Sequence, residues 1–321
     1  MVGEAAPAVE AEGLTLSYGE RKALDGVSLR VPRGEIFALL GPNGGGKTTL
    51  FRILSTSLPP DSGSLRIDGL DAARERREVR RRLGVVFQAP SLDRKLSVLE
   101  NLSCQGRLYG LSGREIASRS RELLEALRLS DRASDLVETL SGGLARRAEI
   151  AKALLHRPPV LLLDEPSTGL DPGARKDLRE LLARLSGEGT AVLLTTHLFE
   201  EAEAADRIGL LDHGRLVGLG TPAELKSAVG GDVIAVATSG PEEAAALARE
   251  VRERFGADAG KVGSVDASVR LERKEAHAFV PRLVEAFPGR FRSLTIGEPT
   301  LEDAFVDLTG HGFREREEIH W

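Results

Sequence analysis

The sequence predicts an α/β fold in two parts. A mixed-sheet core surrounds a glycine loop and carries a helical insert; a small α+β domain of ferredoxin-like order follows. Three observations carry this expectation. First, an apolar run from Ile36 to Leu40 leads into Gly41-Pro42-Asn43-Gly44-Gly45-Gly46-Lys47-Thr48-Thr49 and then into a helical stretch to Leu54. That is the strand–loop–helix context of a phosphate-binding loop, in which Gly is followed by four residues and then Gly-Lys-Thr. Second, short apolar runs recur at Leu83–Phe87, Val160–Leu163 and Ala191–Thr195 between helical stretches, as buried parallel strands do. Third, beyond Gly230-Gly231-Asp232 the pattern turns to strand, helix, strand, strand, helix, strand, the order of a split βαβ unit.

Composition narrows the function. A length of 321 residues suggests about two domains, and a hydrophobic content of 41% supplies a sizeable core. The net charge of −5 argues against a nucleic-acid partner held by a general basic field. No uninterrupted apolar run approaches the ~20 residues that a membrane-spanning helix needs. The stretch Met1 to Gly13 is acidic and lacks the basic and apolar regions of a signal peptide. Cys104 is the only cysteine, so no intrachain disulfide forms, which fits a reducing cytoplasm.

The loop states its chemistry directly. Four glycines let the backbone curl so that several amide N–H groups point at one anion. The helix N-terminus adds partial positive charge. Lys47 can then reach the β- and γ-phosphates of a nucleotide, and Thr48 can offer its hydroxyl to Mg²⁺.

In chain order, residues 1–8 read as a tail. Val9–Tyr18 alternates as a first strand, turns at Gly19-Glu20, and pairs with a second strand at Ala23–Val31. Tyr18 reads either as a half-buried strand aromatic or as a stacking platform for an adenine ring. Pro59–Gly63 is a turn signal, and Ser64–Ile67 a short strand. The arginine-rich stretch Ala72–Arg82 reads as a solvated helix face interleaved with Glu75 and Glu78, in preference to a nucleic-acid patch. Gln88 ends the strand Leu83–Phe87, where its amide can ligate Mg²⁺ or hold an attacking water. Residues 95–135 are expected to be mostly helical. Ser97…Glu100 and Ser112…Glu115 are capping-box patterns, and Ile116, Leu123, Leu124 and Leu127 supply a buried stripe.

Leu140-Ser141-Gly142-Gly143-Leu144 precedes an expected helix from Ala145 to Leu155. Ser141 is either an ordinary N-cap or, with the amides of Gly142 and Gly143, a second anion-binding helix N-terminus. Asp164 and Glu165 end an apolar strand, well placed as a Mg²⁺ partner and a base. Gly169-Leu170-Asp171-Pro172 is a turn into a helix over Ala174–Leu185. His197 follows the strand Ala191–Thr195 on the same edge as Gly41, Gln88 and Asp164, and is expected to be functional. Ile208–Asp212 and Arg215–Gly220 read as a hairpin. Val233–Thr238, Glu242–Phe255, Lys261–Val265, Ser268–Leu271, Lys274–Phe287 and Phe291–Ile296 form the βαββαβ unit. Thr300–Leu308 is an expected short helix, and Trp321 ends a polar tail that it can anchor as a contact.

Taken together, Gly41 to Thr48, Gln88, Leu140 to Gly143, Leu161 to Glu165, Gly169 to Asp171 and His197 stand in the order of an ATP-binding cassette (ABC) ATPase, which the chain resembles over roughly residues 9–228. The Leu-Ser-Gly-Gly element separates this family from other phosphate-loop NTPases. The resemblance implies a phosphate-loop NTPase cassette at 9–229 with its helical insert at about 95–155, an accessory domain at 230–309 and a tail at 310–321. It implies ATP and Mg²⁺, with Tyr18 on adenine, Lys47 and the loop amides on the phosphates, and Thr48, Gln88 and Asp164 serving Mg²⁺. Glu165 is then the general base and His197 its link to the γ-phosphate. Ser141, Gly142 and Gly143 contact the γ-phosphate held by a second copy in a head-to-tail dimer, with Asp171 at the seam.

The chain departs from the family in two places. Gly45 stands where Ala is frequent, which adds backbone freedom, and Leu144 stands where Gln is frequent, as in the drug-exporter branch. Glu298-Pro-Thr-Leu-Glu-Asp-Ala-Phe305 is similar to the closing segment of the daunorubicin-resistance type of exporter ATPase. That branch implies export of a drug-, lipid- or polysaccharide-like substrate through a separate membrane permease, with this chain cytoplasmic and peripheral on the inner face of the membrane. The competing reading is a soluble ABC ATPase acting on DNA or ribosomes. It is disfavoured because such proteins tend to carry two cassettes or long coiled-coil insertions. A regulatory, ligand-binding role for the C-terminal domain rests on fold analogy alone.

Overall fold

The structure is a computed structural model and describes residues 6–313. The expectation for Trp321 lies outside the described residues, as does most of that for the N-terminal tail. β1 (Val9–Tyr18) and β2 (Arg21–Val31) form an antiparallel hairpin in which Val9 faces Val31. β3 (Ile36–Leu40) enters the glycine loop and α1 (Lys47–Leu54) leaves it. β4 (Ser62–Ile67) pairs antiparallel with β1, and β5 (Leu70–Asp71) completes a four-stranded sheet of order β2-β1-β4-β5.

α2 (Arg76–Arg82) starts later than the expected Ala72. The Asp71 carboxylate accepts from the backbone N–H groups of Ala73 and Arg74 and holds that stretch in a turn. β6 (Leu83–Val86) then enters a second sheet. The helical insert follows as α3 (Val98–Leu108), α4 (Gly113–Ala126) and α5 (Gly142–Leu154). Both capping boxes form, at Ser97 with Glu100 and at Ser112 with Glu115.

β7 (Val160–Asp164), α6 (Pro172–Gly187), β8 (Ala191–Thr196), α7 (Phe199–Glu203), β9 (Arg207–Asp212) and β10 (Arg215–Gly220) complete the second sheet, of order β10-β9-β3-β8-β7-β6. The β9/β3, β3/β8, β8/β7 and β7/β6 pairs are parallel. These central strands are buried on both faces, which is why they are apolar without alternation. α1 buries Leu50, Phe51, Ile53 and Leu54 in a core shared by both sheets, among them Leu14, Leu29, Leu39, Leu162 and Leu193. Each such side chain contributes about 1.5–3 kcal/mol on burial, so the helix behind the glycine loop is firmly seated.

The chain divides into two compact units, residues 1–216 and 217–321. The division falls inside β10, ahead of the Gly230-Gly231 turn where the sequence pattern changes. The second unit opens with α8 (Pro222–Ser227). β11 (Asp232–Ala237), α9 (Pro241–Phe255), β12 (Lys261–Val265), β13 (Ser268–Arg273), α10 (Ala276–Ala286) and β14 (Ser293–Gly297) follow. Their strands lie in the order β12-β13-β11-β14, with every neighbouring pair antiparallel. Ile234, Val236, Val269 and Leu271 pack on one face against Leu247 and Val251 of α9 and Phe279 and Leu283 of α10. On the other face of β13 and β12, Arg270 and Lys261 pair with Asp303 and Asp307 of α11 (Leu301–Thr309). α11 also packs on α8, which draws residues ahead of Gly230 into this unit. Among the described residues, no helix is long and apolar enough to cross a membrane.

Candidate active site

The site sits where the parallel strands end, with the glycine loop on one side. A Cβ on Gly41 would lie 2.2 Å from the Leu211 carbonyl oxygen. Gly46 has φ +107° and faces the Ala23 carbonyl at 2.8 Å. Both positions therefore require glycine. Gly45 is also tight, since a Cβ there would lie 3.1 Å from the Pro42 oxygen and 3.2 Å from the Leu211 oxygen. The expectation that Gly45 merely adds freedom is thus incomplete, because the loop is packed closely there.

Lys47 opens α1 and is only 5% exposed. Its ammonium donates to the carbonyls of Gly41 at 2.6 Å and Pro42 at 2.9 Å. Burial holds it below the usual lysine value, against the pull of Glu165 and Asp164. A buried cation whose partners are neutral carbonyls is poised to exchange them for an anion.

Opposite the loop, β7 delivers Asp164 and Glu165, β8 leads to His197, and β6 to Gln88. Asp164 is 4% exposed, and burial raises its carboxyl above the usual value of 3.8, with the Thr195 hydroxyl opposing. That hydroxyl donates to Asp164 Oδ1 at 2.5 Å. The Glu165 carboxylate is within 3.2 Å of His197 Nδ1 and accepts from Gln88 Nε2 at 3.4 Å and Thr168 Oγ1 at 3.4 Å. Its backbone is left-handed, with φ +45°. For a non-glycine residue this costs about 1–3 kcal/mol and persists only where the surroundings impose it. The Glu165 N–H donates to the Thr195 carbonyl and hydroxyl at 3.2 and 3.0 Å, which is part of that restraint.

Tyr18, Asn43, Gly44, Gly46, Lys47, Thr48, Thr49, Gln88 and Glu165 line one cavity of about 370 Å³. Tyr18 is 48% exposed. Gly41, Pro42 and Gly45 shape the loop without lining the cavity; Asp164 and His197 do not line it either, and are joined to the site by their bonds to Thr195 and Glu165. The donor set fits a nucleotide with a hard cation, because the hydroxyl of Thr48, the amide oxygen of Gln88 and the carboxylate of Asp164 are oxygen ligands of the kind Mg²⁺ takes.

Ser141, Gly142, Gly143 and Asp171 do not line this cavity. Ser141 caps α5 by accepting from the Leu144 N–H at 3.4 Å. The helix starts at Gly142 and not at Ala145, so the two glycines form its first turn. A Cβ on Gly142 would meet nothing within 4 Å, and one on Gly143 would lie 3.5 Å from Leu170 Cδ2. Asp171 caps α6, and its bond from the Ala174 N–H at 2.9 Å holds its carboxyl below the usual range.

The structure adds residues that the sequence reading assigned no role. Arg21 lines the cavity and donates to the Gly44 carbonyl at 3.4 Å. Thr195 and Thr196 are fully buried at the end of β8, and two polar residues closing so apolar a strand were the signal for them. Arg146 lies behind Glu165, and its position in α5 carried no sequence signal beyond a basic residue in a helix.

A glycine loop facing an Asp-Glu pair across the carboxyl edge of a parallel sheet defines a phosphate-loop NTPase. The family model for ABC transporter matches residues 24–168. A daunorubicin resistance ATP-binding protein of Streptomyces coeruleorubidus is 41% identical, over 97% of this chain and 98% of that protein. A linearmycin resistance ATP-binding protein of Bacillus subtilis (strain 168) is 36% identical, over 96% of this chain and 100% of that protein. Among solved structures, an ATP-binding subunit of an ABC transporter is 32% identical with TM-score 0.65, over 70% of this chain and 93% of that one. A dimeric, post-hydrolysis ATP-binding cassette bound to ADP and Pi is 31% identical with TM-score 0.62, over 66% of this chain and 98% of that one. The chain belongs to the ATP-binding proteins of ABC transporters, in the branch of the daunorubicin-resistance type. It is an ATPase whose hydrolysis of ATP is coupled to transport.

Proposed function

We propose that this chain powers export of a drug-, lipid- or polysaccharide-like molecule through a separate membrane permease, docked on the inner face of the membrane. Near-full-length likeness to resistance proteins, second unit included, supports the exporter branch. One observation carries the chemistry: Glu165 is held by His197 and Gln88 at the cavity wall that faces Lys47 and Thr48.

In this reading Tyr18 stacks on adenine, and the loop amides with Lys47 cradle the phosphates. Thr48, Gln88 and Asp164 hold Mg²⁺, which when bound neutralises charge on the β- and γ-phosphates. Glu165 takes the proton of the attacking water, and His197 orients that carboxylate while reaching toward the γ-phosphate. Ser141, Gly142 and Gly143 lie off this cavity, which supports their use on the nucleotide of a second copy in a head-to-tail dimer. A helix N-terminus with open space around Gly142 suits that role. Asp171 then lies at the seam. The region 230–309 serves as an accessory domain.

The test is Glu165→Gln. Loss of the base removes about 10²-fold or more of turnover while both nucleotide sites stay intact, so an ATP-bound dimer accumulates on size-exclusion chromatography. Normal hydrolysis by the variant overturns the assignment of Glu165. The trapped dimer then serves as bait: co-purification of a membrane protein is expected, and failure to retain any removes the transport partner from the reading.

A further inference from the structure

Arg146 stands one turn into α5, behind the active site, and is 7% exposed. Its guanidinium makes five hydrogen bonds. Nη2 donates to the carbonyls of Asp164 at 2.5 Å and Glu165 at 3.2 Å, and Nε to that of Pro166 at 3.4 Å. Nη1 donates to the Phe87 carbonyl at 2.5 Å and to Glu149 Oε2 at 3.1 Å. Glu149 in turn accepts from the Ser91 N–H at 2.5 Å. The planar fork with five donors is therefore fully used.

The choice of acceptors is informative. Three of them are successive carbonyls that bracket Glu165, the residue with the left-handed backbone. A fourth belongs to Phe87, the peptide that leads into Gln88. The Thr195 bonds hold the Glu165 peptide from its N–H side; Arg146 holds it from its carbonyl side. The same side chain grows from the helix whose first turn carries Gly142 and Gly143.

We propose that Arg146 is a positioning residue for hydrolysis. It fixes the strained Glu165 peptide, and the Phe87–Gln88 peptide beside it, to the first turns of α5. Displacement of that helix N-terminus is thereby passed to the base within the same subunit. Glu149 balances the buried charge, so the pair places a rigid fork in the interior without an uncompensated ion. The proposal rests on Glu165 being the base, and the experiment separates the two.

The variants are Arg146→Lys, Glu165→Gln and their combination, in the full chain. Lys keeps the charge but cannot span carbonyls on both strands. Single-turnover ATP hydrolysis and the Kd of a fluorescent ATP analogue are measured for each. Arg146→Lys is expected to lower the hydrolysis rate by about 10- to 100-fold, as small misplacement of a reacting group does, with Kd within about 3-fold of wild type. In the Glu165→Gln background the same substitution should change the residual rate by less than about 2-fold, because groups acting as one unit are non-additive. An equal fold-loss in both backgrounds overturns the proposal, as does an unchanged rate in Arg146→Lys alone. If Glu165→Gln itself retains turnover, the base assignment has failed and the coupling fails with it. Should Arg146→Lys not fold, the paired variant Arg146→Gln with Glu149→Gln, which leaves no lone buried charge, is read by the same two criteria.

Discussion

Asp164 shows what the site costs the fold at the scale of one residue. Its carboxylate is buried beside a second acid, and its pKa lies above the ordinary 3.8 chiefly because of that burial. A raised pKa means the folded state binds the proton more readily than the unfolded one. The penalty is therefore present at neutral pH, is relieved as pH falls through the raised value, and changes no further below 3.8. Asp164→Asn, without nucleotide, should accordingly melt a few degrees above wild type at pH 7. That advantage should narrow as the pH is lowered, while ATP turnover is lost. Calorimetric melts across pH check this, and equal melting at every pH would show that the charge carries no penalty. Asp164, Glu165, Lys47 and Gln88 were legible in the sequence because each sits at a fixed offset from an apolar run. Thr195 left only the signal of a polar end to an apolar strand and Arg146 left none, since their partners lie on other elements and spacing along the chain does not name them.

The two glycine-rich segments differ at the scale of elements, although they look alike in sequence. In the loop ahead of α1, Gly46 is held at positive φ against the Ala23 carbonyl; at the start of α5, Gly142 has open space around it. Gly46→Ala should abolish ATP binding by distorting the loop. Gly142→Ala should leave melting and ATP binding near wild type but, if its amide serves the second copy's nucleotide as proposed, lower turnover by ~10-fold or more, because the added methyl group would stand beside that amide. Binding titrations beside turnover assays separate the two, and normal turnover in Gly142→Ala would count against a role for that amide. The early start of α5 was not legible, because two glycines disfavour helix. The Ser141 cap and the packing of the helix behind them outweigh that preference. The capping boxes of α3 and α4 were legible, since their chemistry is local.

For the whole molecule, each compact unit has its own hydrophobic core. Unfolding is therefore expected in two transitions, not one. Phe279→Ala removes a fully buried ring from the second core and should cost that unit about 3–5 kcal/mol. ATP at 100-fold its Kd should raise only the other transition, by about 2.7 kcal/mol. Differential scanning calorimetry with and without ATP reads both effects. A single transition shifted by either change would mean that the two cores unfold as one.

The sequence by itself determined the phosphate loop, the parallel strands, the acid pair at the strand's end and the βαββαβ order. Each is written in short-range pattern, where hydrophobic period, glycine and capping chemistry act within a few residues. Only the tertiary structure decided that His197, Gln88 and Thr168 converge on one carboxylate, that Arg146 braces the peptide carrying it, and that the division between the units falls inside β10. The physical reason is that these depend on which strands lie side by side and which carbonyls they leave facing inward. That neighbourhood is set by burial across the whole sheet and by no local run of residues.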